Sequence, residues 1–194
     1  MIEAWPGLVS GPADELIADC LVLLEHLGPA RNLVDVGSGG GLPGLPLKLA
    51  LPDLEVTLVE ADQAKAAFLI QAAARLGLRG VEVEARRAED VGRDPRRREC
   101  FDVAVSRAVA PLPALAELCL PLVRVGGRML AQKTAREDVT RAARAIEVLG
   151  GALESAVPAP SPVRGAGTVV IIAKVRPTPE AYPRRAGVPV HKPL

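Results

Sequence analysis

The chain has 194 residues, of which 49% are hydrophobic, and this is enough for one α/β domain with a full core. It contains no apolar run of membrane-spanning length and no charged-then-apolar leader, so we expect a soluble, cytoplasmic protein with no membrane partner. A formal net charge of +1 gives no overall attraction to nucleic acid, and an aromatic content of 2% argues against a broad base-stacking platform.

The apolar pattern predicts helices and strands in alternation. The first helix spans Leu16 to Leu27, and later helices are expected at Pro46–Leu51, at Gln63–Leu76 with Asp62 as its cap, at Leu112–Leu120 and at Arg136–Leu149. The predicted strands are Asn32–Val36, Glu55–Glu60, Val81–Ala85, Phe101–Ser106, Arg128–Gln132, Ala152–Val157 and Thr168–Lys174.

This order predicts the α/β class, as a doubly wound, mostly parallel seven-stranded sheet with an antiparallel C-terminal edge hairpin. Such a sheet binds ligands beyond the carboxyl ends of its strands. We divide the chain into an N-terminal helical segment at 1–30, a ligand-binding domain at 31–176 and an extended, basic, proline-rich tail at 177–194.

The run from Asn32 to Gly44, NLVDVGSGGGLPG, joins an apolar strand to five glycines and indicates a nucleotide-cofactor loop. A dinucleotide pattern, G-x-G-x-x-G, fits Gly39, Gly41 and Gly44. A second register, D-x-G-x-G-x-G from Asp35, is typical of S-adenosylmethionine (AdoMet) methyltransferases. Prolines at 43 and 46 favour the second, because they remove backbone donors that a pyrophosphate needs.

Several polar residues follow the predicted strands at the same sheet edge. Glu60 is placed to accept hydrogen bonds from ribose hydroxyls, and Ala88-Glu89 lies where an adenine ring can rest. Arg107 has three possible roles: it orders the acidic groups around the cofactor, contacts a substrate phosphate or base, or forms a salt bridge with a nearby acid. Lys133 occupies the analogous place after the fifth strand. Three cysteines without paired spacing predict buried, reduced thiols and no metal site.

Local arginine clusters are the candidates for contact with nucleic acid. They are Arg86-Arg87, Arg96-Arg97-Arg98, and Arg184-Arg185 with Lys192. A solvated surface is the default interpretation of each cluster taken alone.

Three separated motifs resemble the small-subunit (16S) ribosomal RNA guanine-N7 methyltransferases, formerly called glucose-inhibited division protein B. The segment from Asp35 to Leu47 is similar to the family's D-V-G-[ST]-G-x-G-[LF]-P-G-[IL]-P-L. Val105-Ser106-Arg107-Ala108 is similar to its V/I-[ST]-R-A segment, and the chain end from Tyr182 to Leu194 resembles Y-P-R-[KR]-x-G-x-P-x-x-x-P-L.

The resemblance implies a class I, Rossmann-like AdoMet-dependent methyltransferase that acts on 16S rRNA or the small ribosomal subunit, with no metal and as a monomer. It places AdoMet at Gly37, Ser38, Gly39, Gly41, Leu42, Glu60, Ala88, Glu89 and Arg107, and it leaves the catalytic residues unassigned, with Arg107 and Lys133 as candidates. Thr134 stands where the family has glycine.

The N-terminal segment is shorter than in the family. Ala18, Asp19, Val22 and Leu23 stand where its Arg, His, Asp and Ser are expected, beside the active site. The alternative hypothesis is therefore a catalytically silent AdoMet- or RNA-binding relative. A nicotinamide-dependent oxidoreductase rests only on the first glycine register.

Overall fold

A seven-stranded sheet forms the centre of the computed structural model, which describes residues 11–107 and 109–194. Its strand order is β3-β2-β1-β4-β5-β7-β6. The strands are β1 (Asn32–Val36), β2 (Glu55–Val59), β3 (Val81–Glu84), β4 (Phe101–Arg107), β5 (Val123–Thr134), β6 (Gly151–Pro158) and β7 (Gly167–Lys174). Strands β1 to β5 pair in parallel, while β7 pairs antiparallel with both β5 and β6. The predicted sheet and edge hairpin are confirmed.

Helices cover both faces of this sheet. They are α1 (Ala13–Leu21), α2 (Gly44–Ala50), α3 (Gln63–Arg75), α4 (Ala88–Arg93), α5 (Leu112–Cys119), α6 (Ala143–Val148) and α7 (Val188–His191). Strand β1 is buried on both sides: Val34 packs into one core cluster with α5, and Leu33 packs into the other with α3. A continuous apolar strand is what a parallel sheet covered on both faces requires.

Some element boundaries differ from the sequence expectations. The first helix ends at Leu21, and a short 3₁₀ turn at Leu24–His26 replaces its last part. The helix expected from Arg136 is a 3₁₀ turn at Val139–Ala142 followed by α6, because the Asp138 carboxylate caps Thr140. Helix α4 was not predicted. The cap of α3 was, since Asp62 accepts hydrogen bonds from the next helical N–H groups.

The C-terminal tail has little regular structure but is held firmly to the domain. The Arg98 guanidinium donates to the carbonyl oxygens of Thr178 and Tyr182, both at 2.7 Å. Arg184 forms a 2.6 Å ion pair with Glu117, which is fully buried in α5. Polar contacts therefore replace the apolar anchors that the sequence lacks.

Two further observations concern membranes and thiols. Over the ranges 11–107 and 109–194, no helix is both long and apolar enough to cross a bilayer.

Cys20 and Cys119 are buried, as expected, and burial raises the pKa of Cys20 to about 12. Cys100 is exposed, so the prediction of a buried thiol is wrong there, because Cys100 lies at the surface between the turn at 95–99 and β4.

Candidate functional site

A cleft of about 770 Å³ opens beyond the carboxyl ends of β1, β2 and β4, a size that suits a small organic ligand. Eight residues of the predicted cofactor set line it: Gly37, Ser38, Gly39, Leu42, Glu60, Ala88, Glu89 and Arg107. Two of the predicted site residues, Gly41 and Lys133, are not part of its lining. The predicted residues of four separate chain segments therefore lie together in one cleft, at the sheet edge where a ligand was expected.

The glycine-rich loop begins at Gly37, where β1 ends. The N–H groups of Gly37 and Ser38 both donate to the Val59 carbonyl of β2, at 2.9 and 3.0 Å. Gly37 has a φ of +74°, which favours glycine, and a Cβ there would lie 2.5 Å from a methyl carbon of Val109. A side chain at this position would therefore strain the backbone and fill the cleft.

Asp35 ties the strand to the first turn of α2. Its Oδ2 accepts a 2.9 Å hydrogen bond from the Gly44 N–H, and its Oδ1 has no hydrogen-bond partner within the described chain. Removal from water raises the pKa of this fully buried carboxyl to about 7. A Cβ on Gly44 would lie 2.5 Å from Leu58 and 2.9 Å from the Asp35 carboxylate, which explains the glycine.

The first turn of α2 keeps no backbone donor for a ligand. The Gly44 N–H is taken by Asp35, and those of Leu45 and Leu47 donate to the carbonyls of Gly41 and Pro43. Pro46 has no N–H at all. A pyrophosphate bound in the dinucleotide manner needs free donors at this helix start, so the turn does not fit one.

Glu60 closes the opposite side of the glycine loop. Its two carboxylate oxygens accept hydrogen bonds from the N–H groups of Gly39 and Asp62, at 2.9 and 2.8 Å. Each oxygen retains a second lone pair, so the same carboxylate can also accept ribose hydroxyls. The loop and the acid therefore hold each other in place at the cleft wall.

The tail forms the wall of the cleft next to α4. Glu89 is buried, and its Oε1 accepts a 2.7 Å hydrogen bond from the Gly187 N–H. Ala186, Gly187 and His191 line the cleft. Sequence reasoning did not assign these tail residues to the site, although the tail motif was the available signal.

Arg107 lines the cleft and is oriented by Asp19. Its Nε donates to Asp19 Oδ2 at 3.0 Å, while Arg164 and Ser161 contact the other carboxylate oxygen at 2.7 and 2.5 Å. Burial raises the pKa of Asp19, but the Ser161 and Arg164 hydrogen bonds outweigh it, so the pKa lies below its usual value. Arg107 therefore forms a salt bridge with an acid, and Asp19 is its partner.

The family resemblance placed Asp19 beside the active site, but its role as the partner of Arg107 was missed, although a signal for it was present. It lies on the apolar side of α1 beside Leu16 and Cys20, and all three side chains are buried. An acid within an apolar stripe requires a buried cationic partner, since an isolated buried carboxylate is very costly. Its partners follow it by 88 and 145 residues, which local patterns cannot reveal.

Lys133 contacts the loop behind the cleft instead of its interior. Its amino group donates to the Ala110 carbonyl and forms a 3.3 Å ion pair with Glu137. Ala108, the last residue of the Ser-Arg-Ala motif, lies outside the described residues. No three His, Cys, Asp or Glu side chains are grouped as metal ligands in residues 11–107 and 109–194.

Comparison with protein families shows which family this chain belongs to. The family model for rRNA small subunit methyltransferase G, also named GidB, matches residues 13–161. The chain belongs to the rRNA small subunit methyltransferase G family. A family member from Roseiflexus sp. (strain RS-1) is 52% identical over 165 residues, which cover 84% of this chain and 70% of that protein. Another, from Moorella thermoacetica, is 47% identical over 183 residues, covering 90% of this chain and 74% of the relative.

Solved structures show that this member of the methyltransferase G family has the class I methyltransferase fold. A ribosomal protein L11 methylase from Lactobacillus delbrueckii subsp. bulgaricus matches with a TM-score of 0.65 at 16% identity, covering 88% of this chain and 83% of that one. A T. thermophilus 16S rRNA N2 G1207 methyltransferase, solved with AdoMet and guanosine, matches with a TM-score of 0.59 at 18% identity. The match covers 87% of this chain and 41% of that one.

Proposed function

We propose that this chain transfers a methyl group from AdoMet to N7 of a guanine in 16S ribosomal RNA. The observation that carries the proposal is the glycine-rich cleft, whose adjoining helix start has no backbone donor left for a phosphate. AdoMet is a nucleoside cofactor without phosphate, so it fits this cleft where a dinucleotide does not. Membership of the methyltransferase G family supplies the substrate class.

The residues of the cleft suit the parts of AdoMet. Glu60 would accept the ribose hydroxyls, and Ala88 with Glu89 would border the adenine. Gly37, Ser38, Gly39 and Leu42 would surround the methionyl part, and Arg107 would contact its carboxylate or the target base. The Arg107 guanidinium is suited to this, since only its Nε has a partner among the described residues. Gly41 and Lys133 would support the loops behind the cleft.

The reaction requires alignment more than acid-base chemistry. Bound AdoMet supplies an electrophilic methyl group on a sulfonium. Guanine N7 has a lone pair in the base plane and no proton to lose, so no general base is needed. The protein has to hold the base and the methyl donor in line at near-attack distance, and such positioning is a large source of rate enhancement. The lack of a nucleophile-base pair among the described cleft residues therefore does not argue for a silent relative, and the family comparisons favour the enzyme.

Three further properties are proposed: the cellular location, the oligomeric state and the metal requirement. An enzyme that modifies the small ribosomal subunit or its RNA would work in the cytoplasm, where that RNA is made and assembled. We propose that it does so as a monomer without a metal ion, and both points stay predictions.

Calorimetry with matched glycine variants tests the cofactor assignment. Gly37→Asp should abolish AdoMet binding, because it adds a charged side chain inside the cleft where a Cβ would meet Val109 at 2.5 Å. Gly77→Asp is the control: it has a similar φ, +64°, but a Cβ there meets nothing within 4 Å. Wild-type affinity for AdoMet in Gly37→Asp, or binding of NAD instead of AdoMet by the unmodified protein, would contradict the proposal.

A further inference from the structure

The structure distinguishes the arginine clusters that the sequence offers for RNA contact. Arg86 forms ion pairs with Glu84 and Asp94, at 2.7 and 3.2 Å. Arg96 pairs with Asp94, and Arg97 pairs with Glu84 and Glu82. Acids of the chain itself thus neutralise Arg86, Arg96 and Arg97. Arg87 is exposed and lines the cofactor cleft, without an acidic partner in the described part of the chain. Arg98 is also engaged, because it binds the carbonyl groups of the tail.

The third cluster, in the tail, keeps two exposed cations that are not paired with acids of the described chain. Arg184 is paired with buried Glu117 and so has a structural role. Arg185 and Lys192 are exposed, and their side chains have no acidic partner in the described part of the chain. They are also held in place, because neighbouring tail groups bind the domain: Gly187 donates to Glu89, and the Pro183 carbonyl accepts from Arg93. Free charges on a fixed backbone form a preorganised surface.

These charges border one shallow depression next to the cofactor cleft. Five of its eight lining residues are Arg93, Arg184, Arg185, His191 and Lys192, and none is acidic. Ala186, Gly187 and His191 belong to the lining of both the depression and the cleft. The basic depression therefore continues directly into the site that would hold the methyl donor.

We propose that this basic depression binds the phosphate backbone of the RNA strand whose guanine enters the cleft. The inference rests on the proposed function for the identity of the RNA. Its physical basis is charge complementarity: a chain with a net charge of only +1 binds a polyanion where its unpaired cations are concentrated. Arg185 and Lys192 would each contact a phosphate, and such contacts position the strand without reading its sequence.

A charge-matched pair of double variants tests this assignment. The first is Arg185→Ala with Lys192→Ala. The control is Arg75→Ala with Arg79→Ala, which removes two exposed cations at and just after the C-terminal end of α3. Neither residue lines the cofactor cleft or the basic depression. Neither Arg185 nor Lys192 lines the cofactor cleft, so AdoMet affinity should be unchanged in both proteins. Thermal unfolding should show that both retain the wild-type fold.

Binding of 16S RNA from cells lacking the modification is then measured over a range of salt concentrations. Loss of two phosphate contacts should reduce the slope of log K against log salt by about 1.4 to 1.8 and weaken binding about 25- to 60-fold at about 0.1 M salt. The control should keep the wild-type slope. In methyl transfer, the tail variant should show a raised KM for RNA with the kcat of the wild type.

Equal RNA affinity and slope in the two double variants would overturn the proposal. This outcome is separable from failure of the proposed function, which would appear as an absence of methyl transfer by the wild-type protein. The binding comparison needs no catalysis, so it decides the role of the basic depression in either case.

Discussion

The Asp35 carboxyl group should make the stability of this protein fall as the pH rises. Asp35 is fully buried between β1 and α2, and burial raises its pKa from the ordinary value of 3.8 to about 7. In the unfolded chain the same group ionises with its ordinary pKa. Between these two values the folded protein binds the extra proton, so the free energy of unfolding decreases with rising pH. Below about pH 4 the group is neutral in both states and has no effect.

The size of the effect follows from the shift. Each pKa unit corresponds to about 1.4 kcal/mol, so above about pH 7 the buried, ionised Asp35 lowers the free energy of unfolding by about 4 kcal/mol. Asp35→Asn removes the titration and keeps an oxygen that can accept from the Gly44 N–H. Its free energy of unfolding, relative to wild type, should therefore rise by about 2–3 kcal/mol between about pH 5 and about pH 8.

Urea unfolding of the ligand-free proteins at these two pH values measures the difference. Asp53→Asn is the control for loss of a carboxylate at a surface position, since Asp53 is exposed in the turn after α2. A difference between Asp35→Asn and wild type that stays constant with pH would refute the reasoning, because Asp35 would then ionise in the folded state as easily as in the unfolded chain.

Four other substitutions test the contacts around the cleft and the tail. Asp19→Asn leaves Arg107 and Arg164 without their buried anion, which should cost about 3–5 kcal/mol in urea unfolding and weaken AdoMet binding in calorimetry. Ser161→Ala, which removes one hydrogen bond to the same carboxylate, should cost only about 1 kcal/mol. Glu117→Gln should destabilise by about 1–3 kcal/mol, less than a fully buried pair because Arg184 is 26% exposed, and trypsin should then cleave the tail faster. Unchanged tail cleavage would show that this ion pair does not hold the tail. Gly44→Ala should cost about 1–3 kcal/mol in thermal unfolding, since its Cβ would lie 2.9 Å from the Asp35 carboxylate, and an unchanged melting temperature would contradict that steric account.

The sheet could be predicted because its determinants are local. Strand β1 and the glycines after it carry their own apolar and turn signals, and Asp62 caps α3 as its position suggests. Helix α4 was missed because it has six residues and includes a glycine, so it shows no helical periodicity. Short elements fixed by their neighbours leave little trace in the sequence.

The parts of the site that were missed depend on contacts between distant residues. Arg107 could be placed at the cleft because it lies at the carboxyl end of β4, but its partner Asp19 precedes it by 88 residues. The tail seemed unanchored because it has few apolar residues, whereas its anchor is the ion pair of Arg184 with Glu117, 67 residues away. Buried polar pairs of this kind follow from the completed fold and not from any local pattern.

The measurement that most directly tests the central claim is nucleoside analysis after methyl transfer from labelled AdoMet. The substrates are small ribosomal subunits, and separately their RNA, from cells that lack the modification. We expect label in N7-methylguanosine with the wild-type protein and with Gly77→Asp, and none with Gly37→Asp. Label in another nucleoside, or no transfer by a wild-type protein that binds AdoMet, would contradict the account.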